Sequence, residues 1–158
     1  MSQDARFEDA DEAPLHLVAR EAEGLQVISA LVQDAVFPAG EMRWLAKERR
    51  FALLLNRFRW EDKAAAERRG EYERVRSVLV VDDVLKVSSQ GIDRGDRDLI
   101  LSLLSIGFEP GEDGAGRLEL VLAGDGGIAL EVEALEVTLR DVTRPYRAVS
   151  GHAPGHPD

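Results

Sequence analysis

Apolar and polar residues alternate most strictly toward the carboxyl end of the chain. In Arg117-Leu118-Glu119-Leu120-Val121-Leu122 and Ile128-Ala129-Leu130-Glu131-Val132-Glu133, one parity is apolar and the other collects the charges. That is the pattern of antiparallel strands buried on one face. Gly124-Asp125-Gly126-Gly127 supplies left-handed positions between them, so a tight β-hairpin is predicted. Further upstream, Leu15 to Ala19 reads as a short strand following Pro14. Leu25, Ile28, Leu31, Val32, Ala35 and Val36 then recur at helical spacing. They predict an amphipathic helix of about four turns over 22–36, closed by Phe37-Pro38-Ala39-Gly40.

Glu41 to Lys47 and Phe51 to Trp60 predict a second hairpin turning at Glu48-Arg49, although neither residue favours the left-handed region. The longer strand would place Leu54, Phe58 and Trp60 on one side, with Leu53, Leu55, Arg57 and Arg59 on the other. Glu61 to Glu73 has the composition for a helical turn or two, but its lack of large apolar residues makes a mobile surface excursion the first expectation. A strand resumes at Arg74, and Asp82-Asp83 is read as a solvated turn toward a strand at Val84 to Ser88. Asp96 is suited to cap a short helix through about Leu103, with Ser105 to Glu109 extended beyond it. At Ala134-Leu135 the alternation slips by one residue, which predicts either a bulge or a short helix.

These elements imply a flexible acidic arm at 1–13, a single α+β domain at 14–143 and a flexible tail at 144–158. The domain is expected to be predominantly antiparallel, a strongly curved sheet or partly open barrel with two covering helices. A faint echo of strand, helix, strand and strand, starting near 15 and again near 84, raises a second picture of two pseudo-repeated halves.

Length and charge narrow the function classes. A chain of 158 residues suits one hydrophobic core, and a formal charge of -10 disfavours nucleic-acid binding. The absence of cysteine excludes thiol catalysis, disulfides and cysteine-based metal sites. No hydrophobic leader and no membrane-spanning run is visible, so a cytoplasmic protein is expected.

Familiar site motifs fail on spacing. The glycine-rich turn lacks the lysine of a phosphate-binding loop. Asp93, Asp96 and Asp98 resemble a calcium loop in composition, but its sixth position would be Asp98 instead of glycine and its twelfth Leu104. His152 and His156 lack further ligands, His16 lacks a partner, and Ser88, Ser89 and Ser102 sit in no nucleophile motif. No metal site and no cofactor is expected.

Charge placement is more informative. Between Glu41 and Arg76, eleven Lys or Arg residues face seven acids, a local +4 against -14 elsewhere. Arg49, Arg50, Arg57 and Arg59 are the anion-binding candidates, because guanidinium forks match carboxylates and phosphates. Trp44, Trp60 and Tyr72 could wall such a site, though core packing accounts for both tryptophans more simply. The function expected first is a noncatalytic interaction or assembly module, acting as a homodimer through an uncovered strand edge or with another protein. A protein binding a small anionic ligand through the arginine cluster is the alternative. An unrecognised enzyme with an acid/base pocket is the third reading.

Four segments also carry a resemblance. They are Leu25 to Val36, Phe51-Ala52-Leu53-Leu54-Leu55-Asn56-Arg57-Phe58-Arg59-Trp60-Glu61, Leu101-Ser102-Leu103-Leu104-Ser105-Ile106-Gly107-Phe108-Glu109-Pro110, and Ile128 to Glu133. Together they resemble a small alphaproteobacterial family catalogued as a domain of unknown function. The resemblance implies a compact bacterial cytosolic protein and assigns no activity, substrate or site residue.

Overall fold

A computed structural model describes residues 14–70, 72–93 and 95–147. Its elements, in chain order, are β1 (His16–Ala19), α1 (Ala22–Leu31), β2 (Val36–Pro38), β3 (Met42–Leu45), β4 (Arg50–Phe58), α2 (Lys63–Arg69), β5 (Glu73–Val81), β6 (Val84–Gln90), β7 (Ile100–Pro110), β8 (Gly116–Leu122), β9 (Gly127–Val132), β10 (Val137–Asp141) and β11 (Tyr146–Arg147). The predicted arm at 1–13, and His152 and His156 in the predicted tail, lie outside the described residues.

The glycine-linked ribbon forms in the register its alternation demands. Leu118 faces Leu130 and Leu120 faces Ile128 across β8 and β9, all four buried. Gly124 and Asp125 both take positive φ, 80° and 69°, at the turn. The wider sheet runs β1-β10-β5-β4-β2-β7-β8-β9-β6, with β11 added to β5 and β3 to β4. Every pairing is antiparallel.

Two parts of the architectural expectation are corrected. The sheet is neither strongly curved nor a partly open barrel: β1 and β6 end the path without pairing to each other. The pseudo-repeat also fails, because the residues expected to form its second helix become a turn at 95–98 and the start of β7. Leu101 and Leu103 are buried from a strand with period two. A short run so rich in leucine and isoleucine fits either period, and pairing with β2 and β8 decides for the strand. The two helices among the described residues are therefore α1 and α2.

Helix α1 buries Leu25 and Ile28 and packs on β7 and β1. Ser29 Oγ accepts the Ile106 N–H at 2.9 Å, tying the helix to β7. It ends at Leu31, short of the predicted Val36, because Asp34 turns the chain with φ 65° and donates its N–H to the Leu103 carbonyl. Val32 and Ala35 still reach the core, from a turn instead of a helix.

The Asp82-Asp83 pair makes a crossover and not a hairpin turn. It joins β5, flanked by β10 and β4, to β6, which pairs with β9 at the far end of the path. Asp83 accepts the left-handed geometry with φ 58°. The link is held by Asp82 N–H to the Glu136 carbonyl and Glu133 N–H to the Asp83 carbonyl.

At the second predicted hairpin, Arg49 does occupy the left-handed region, φ 55° and ψ 43°, after a 3-10 turn over Ala46–Glu48. The charged stretch from 61 forms α2, capped by Gly70 with φ 74° and anchored by buried Ala66, in place of a mobile excursion. At 133–136 there is neither bulge nor helix: the chain crosses from β9 to β10, which pairs with β1 and β5.

Candidate anion-binding cleft

The strand parity that grouped Arg57 with Leu53 and Leu55 holds, and it carries Arg57 into the interior. Its side chain is fully buried. Arg57 Nη1 and Nη2 donate to the two carboxylate oxygens of Glu61 at 2.9 and 2.8 Å. Nη2 also donates to both oxygens of Asp141 at 3.0 and 3.1 Å, and Nε reaches Ser77 Oγ at 3.1 Å. Ser77 in turn donates to Asp141 at 2.7 Å, and Asp141 accepts the Leu15 N–H at 2.9 Å. Burial opposes the charge on Arg57, but the two carboxylates outweigh it and raise its pKa. Burial likewise pushes Glu61 up, yet the hydrogen bonds and charge of Arg57 hold it below its ordinary value.

Arg59 lies in a second network, donating to Glu73 at 2.7 Å and to Asp62 at 3.5 Å, with Arg69 bound to the same two acids. Arg49 pairs with Glu133, and Arg50 Nε donates to Asp82 at 2.8 Å. That bond, with the charge of Asp82, raises the Arg50 pKa. The four predicted arginines are thus not gathered around one opening; each faces carboxylates of the protein itself.

A different pair of arginines meets beside a cleft, Arg97 in its lining and Arg43 outside it. β3 pairs with β4 alone and β6 with β9 alone, and alternate side chains of both strands face the cleft. Met42 and Trp44 of β3 and Phe51 of β4 line one side; Val87 and Ser89 of β6 and Ile128 of β9 line the other. Ile92, Arg97, Ala39 and Gly40 complete a cavity of about 290 Å³. Trp44 is 39% exposed, so the core role expected for it does not apply. Trp60 instead packs between Phe58 and Tyr72 and donates its indole N–H to the Gln33 carbonyl. The predicted aromatic wall is therefore divided between two corners.

Gly40 organises the cleft mouth. Its N–H donates to the Arg97 carbonyl at 2.8 Å, while the Ala39 N–H donates to the Leu99 carbonyl at 2.8 Å. Arg97 Nη2 returns a bond to the Gly40 carbonyl at 3.3 Å, and Arg43 Nη1 donates to that same oxygen and to the Met42 carbonyl. A Cβ at residue 40 would fall 3.1 Å from the Arg97 backbone oxygen, tighter than ordinary contact. Among the described residues, neither Arg43 nor Arg97 has a carboxylate partner. Two guanidinium groups converging on one neutral carbonyl leave N–H donors for an external anion.

Sequence reasoning missed Arg97 and gave Arg43 no special role. The local signal was Gly40-Glu41-Met42-Arg43-Trp44, a glycine before a short alternating strand. Its meaning depends on the bridge to residues 97–99, which sequence spacing does not show.

Elsewhere, His16 lines a shallow depression with Arg50, Val78, Val80, Asp82, Thr138 and Arg140. No group of three or more His, Asp or Glu suited to a metal occurs among the described residues, and none of their helices is long and apolar enough to cross a membrane. The sequence profile of one family, described as "Protein of unknown function (DUF2948)", matches residues 15–156. No curated protein and no solved structure matches the chain.

Proposed function

Since the chain belongs to this family of proteins of unknown function, we propose a role from its geometry: the protein binds a small organic anion in the cleft between β3 and β6, without transforming it. The observation that carries this reading is the meeting of Arg43 and Arg97 on the Gly40 carbonyl, beside an apolar cavity with a half-exposed Trp44. Apolar walls with a few convergent polar groups are the usual make-up of a ligand site. The expected setting is the cytosol of an alphaproteobacterium, as the sequence resemblance implies.

The test is a titration of Trp44 fluorescence in a Trp60→Phe background with small aromatic and aliphatic anions, checked by calorimetry. Saturable quenching that weakens tenfold or more in Arg97→Ala is expected, the scale of one charge-assisted hydrogen bond. Absence of saturable binding by both methods at millimolar concentration would refute the reading.

A second reading, a noncatalytic assembly module, is favoured by the outer edge of β6. There, Leu85 is 56% exposed at a register shift, with Leu45 of β3 40% exposed. Light scattering over a concentration series would then show a dimer that Leu85→Lys dissociates; a monomer at every concentration would rule it out.

A further inference from the structure

Resting on the cleft reading above, we infer that its ligand is a monocarboxylate with a compact aromatic or branched aliphatic body. Three observations converge on this class. The first is the division of polarity. Met42, Trp44, Phe51, Val87, Ile92 and Ile128 offer hydrocarbon, thioether and indole surface to the body of a ligand, with Ser89 as a neutral polar group among them, whereas Arg97 is the cationic side chain of the lining and bonds Gly40. A molecule matching that division is apolar over most of its length and carries its charge at one end.

The second is the local charge. The segment 93–98 holds three acids, Asp93, Asp96 and Asp98, against Arg94 and Arg97, and Arg43 lies two residues after Glu41. Asp93 and Asp96 accept backbone N–H groups of Gly95 and Asp98 at 2.9 and 3.2 Å, which fixes those acids in the loop. A single negative charge gains from the two guanidinium groups, and each further charge meets repulsion from the flanking acids. A planar carboxylate is satisfied by the fork of Arg97, whereas a phosphate dianion or polyphosphate brings further charge toward the flanking acids.

The third is size. A cavity of about 290 Å³ lies at the small end of ligand sites, enough for one ring or a short branched chain. Trp44 provides a flat face for stacking, and Met42 an adaptable neighbour.

The experiment is calorimetry on the full chain with phenylacetate, 3-methylbutanoate, phenyl phosphate, inorganic phosphate and phenethylamine. Phenylacetate and 3-methylbutanoate are expected to bind with Kd of roughly 0.1–1 mM, the range open to so few atoms. Phenyl phosphate should bind at least tenfold more weakly, and phenethylamine and inorganic phosphate should give no signal. Arg97→Ala should weaken phenylacetate tenfold or more while keeping the wild-type urea midpoint, with Arg97→Lys recovering part of the loss. Tighter binding of phenyl phosphate than of phenylacetate, still dependent on Arg97, would overturn the carboxylate class and leave the cleft reading standing. If no compound bound in an Arg97-dependent manner, both would fall.

Discussion

Arg57 and Arg97 carry the same guanidinium fork, and the surrounding chain treats them in opposite ways. Arg57 lies in the interior with Glu61 bidentate on one side and Asp141 on the other. Its hydrogen-bonding capacity is turned inward, joining β4, β5, β10 and the residue before β1. Arg97 stands at a cleft mouth and donates to a backbone carbonyl. Basic residue type and strand parity do not separate these roles; the counter-charge within reach does.

The largest expected effect breaks the buried side of this contrast. Arg57→Met should lower unfolding stability in urea by about 3–5 kcal/mol, because Glu61 and Asp141 lose a buried cationic partner. A loss below about 1 kcal/mol would show that solvent reaches and relieves those carboxylates. Asp141→Asn comes next, at about 1.5–3 kcal/mol, since it weakens charge-assisted bonds to Arg57 and a backbone bond to Leu15.

Acid sharpens the same comparison. Glu61 has a folded-state pKa below its ordinary value of 4.5. Its contribution is therefore complete above that value and disappears as pH falls through the lower folded pKa. Denaturation curves below pH ~4.5 should show a pH-dependent loss of stability that is smaller in Glu61→Gln; equal slopes for both proteins would remove Glu61 from the acid response. The smallest effect is at the surface: Arg50→Ala should cost about 0–1 kcal/mol, because its pair with Asp82 is half-exposed, and salt should diminish even that.

The same contrast explains what could be read in the sequence. The β8–β9 ribbon was legible because a strict period of two and a glycine-rich turn agree on one register. The placement of Arg57 beside Leu53 and Leu55 was legible too, but its consequence was not. Its partners come from residue 61 on the same chain segment and residue 141 on another strand. The helix at 22–31 was over-extended because Val32 and Ala35 keep a helical spacing while serving a turn. Ser105 to Glu109 is extended as its pattern indicates, but the start of the same strand reads as helix because Leu99-Ile100-Leu101 has no periodicity of its own. The cleft was hidden because it depends on two non-local bridges, Ala39 to Leu99 and Gly40 to Arg97.

The antiparallel pairing of β1 with β10 also has a consequence for biosynthesis. His16–Ala19 leaves the ribosome well before its partner Val137–Asp141. The buried guanidinium of Arg57 must await Asp141 as well. Long-range pairings of this kind slow folding, so the nascent polypeptide carries an unfinished edge and an incompletely neutralised cation until β10 has emerged.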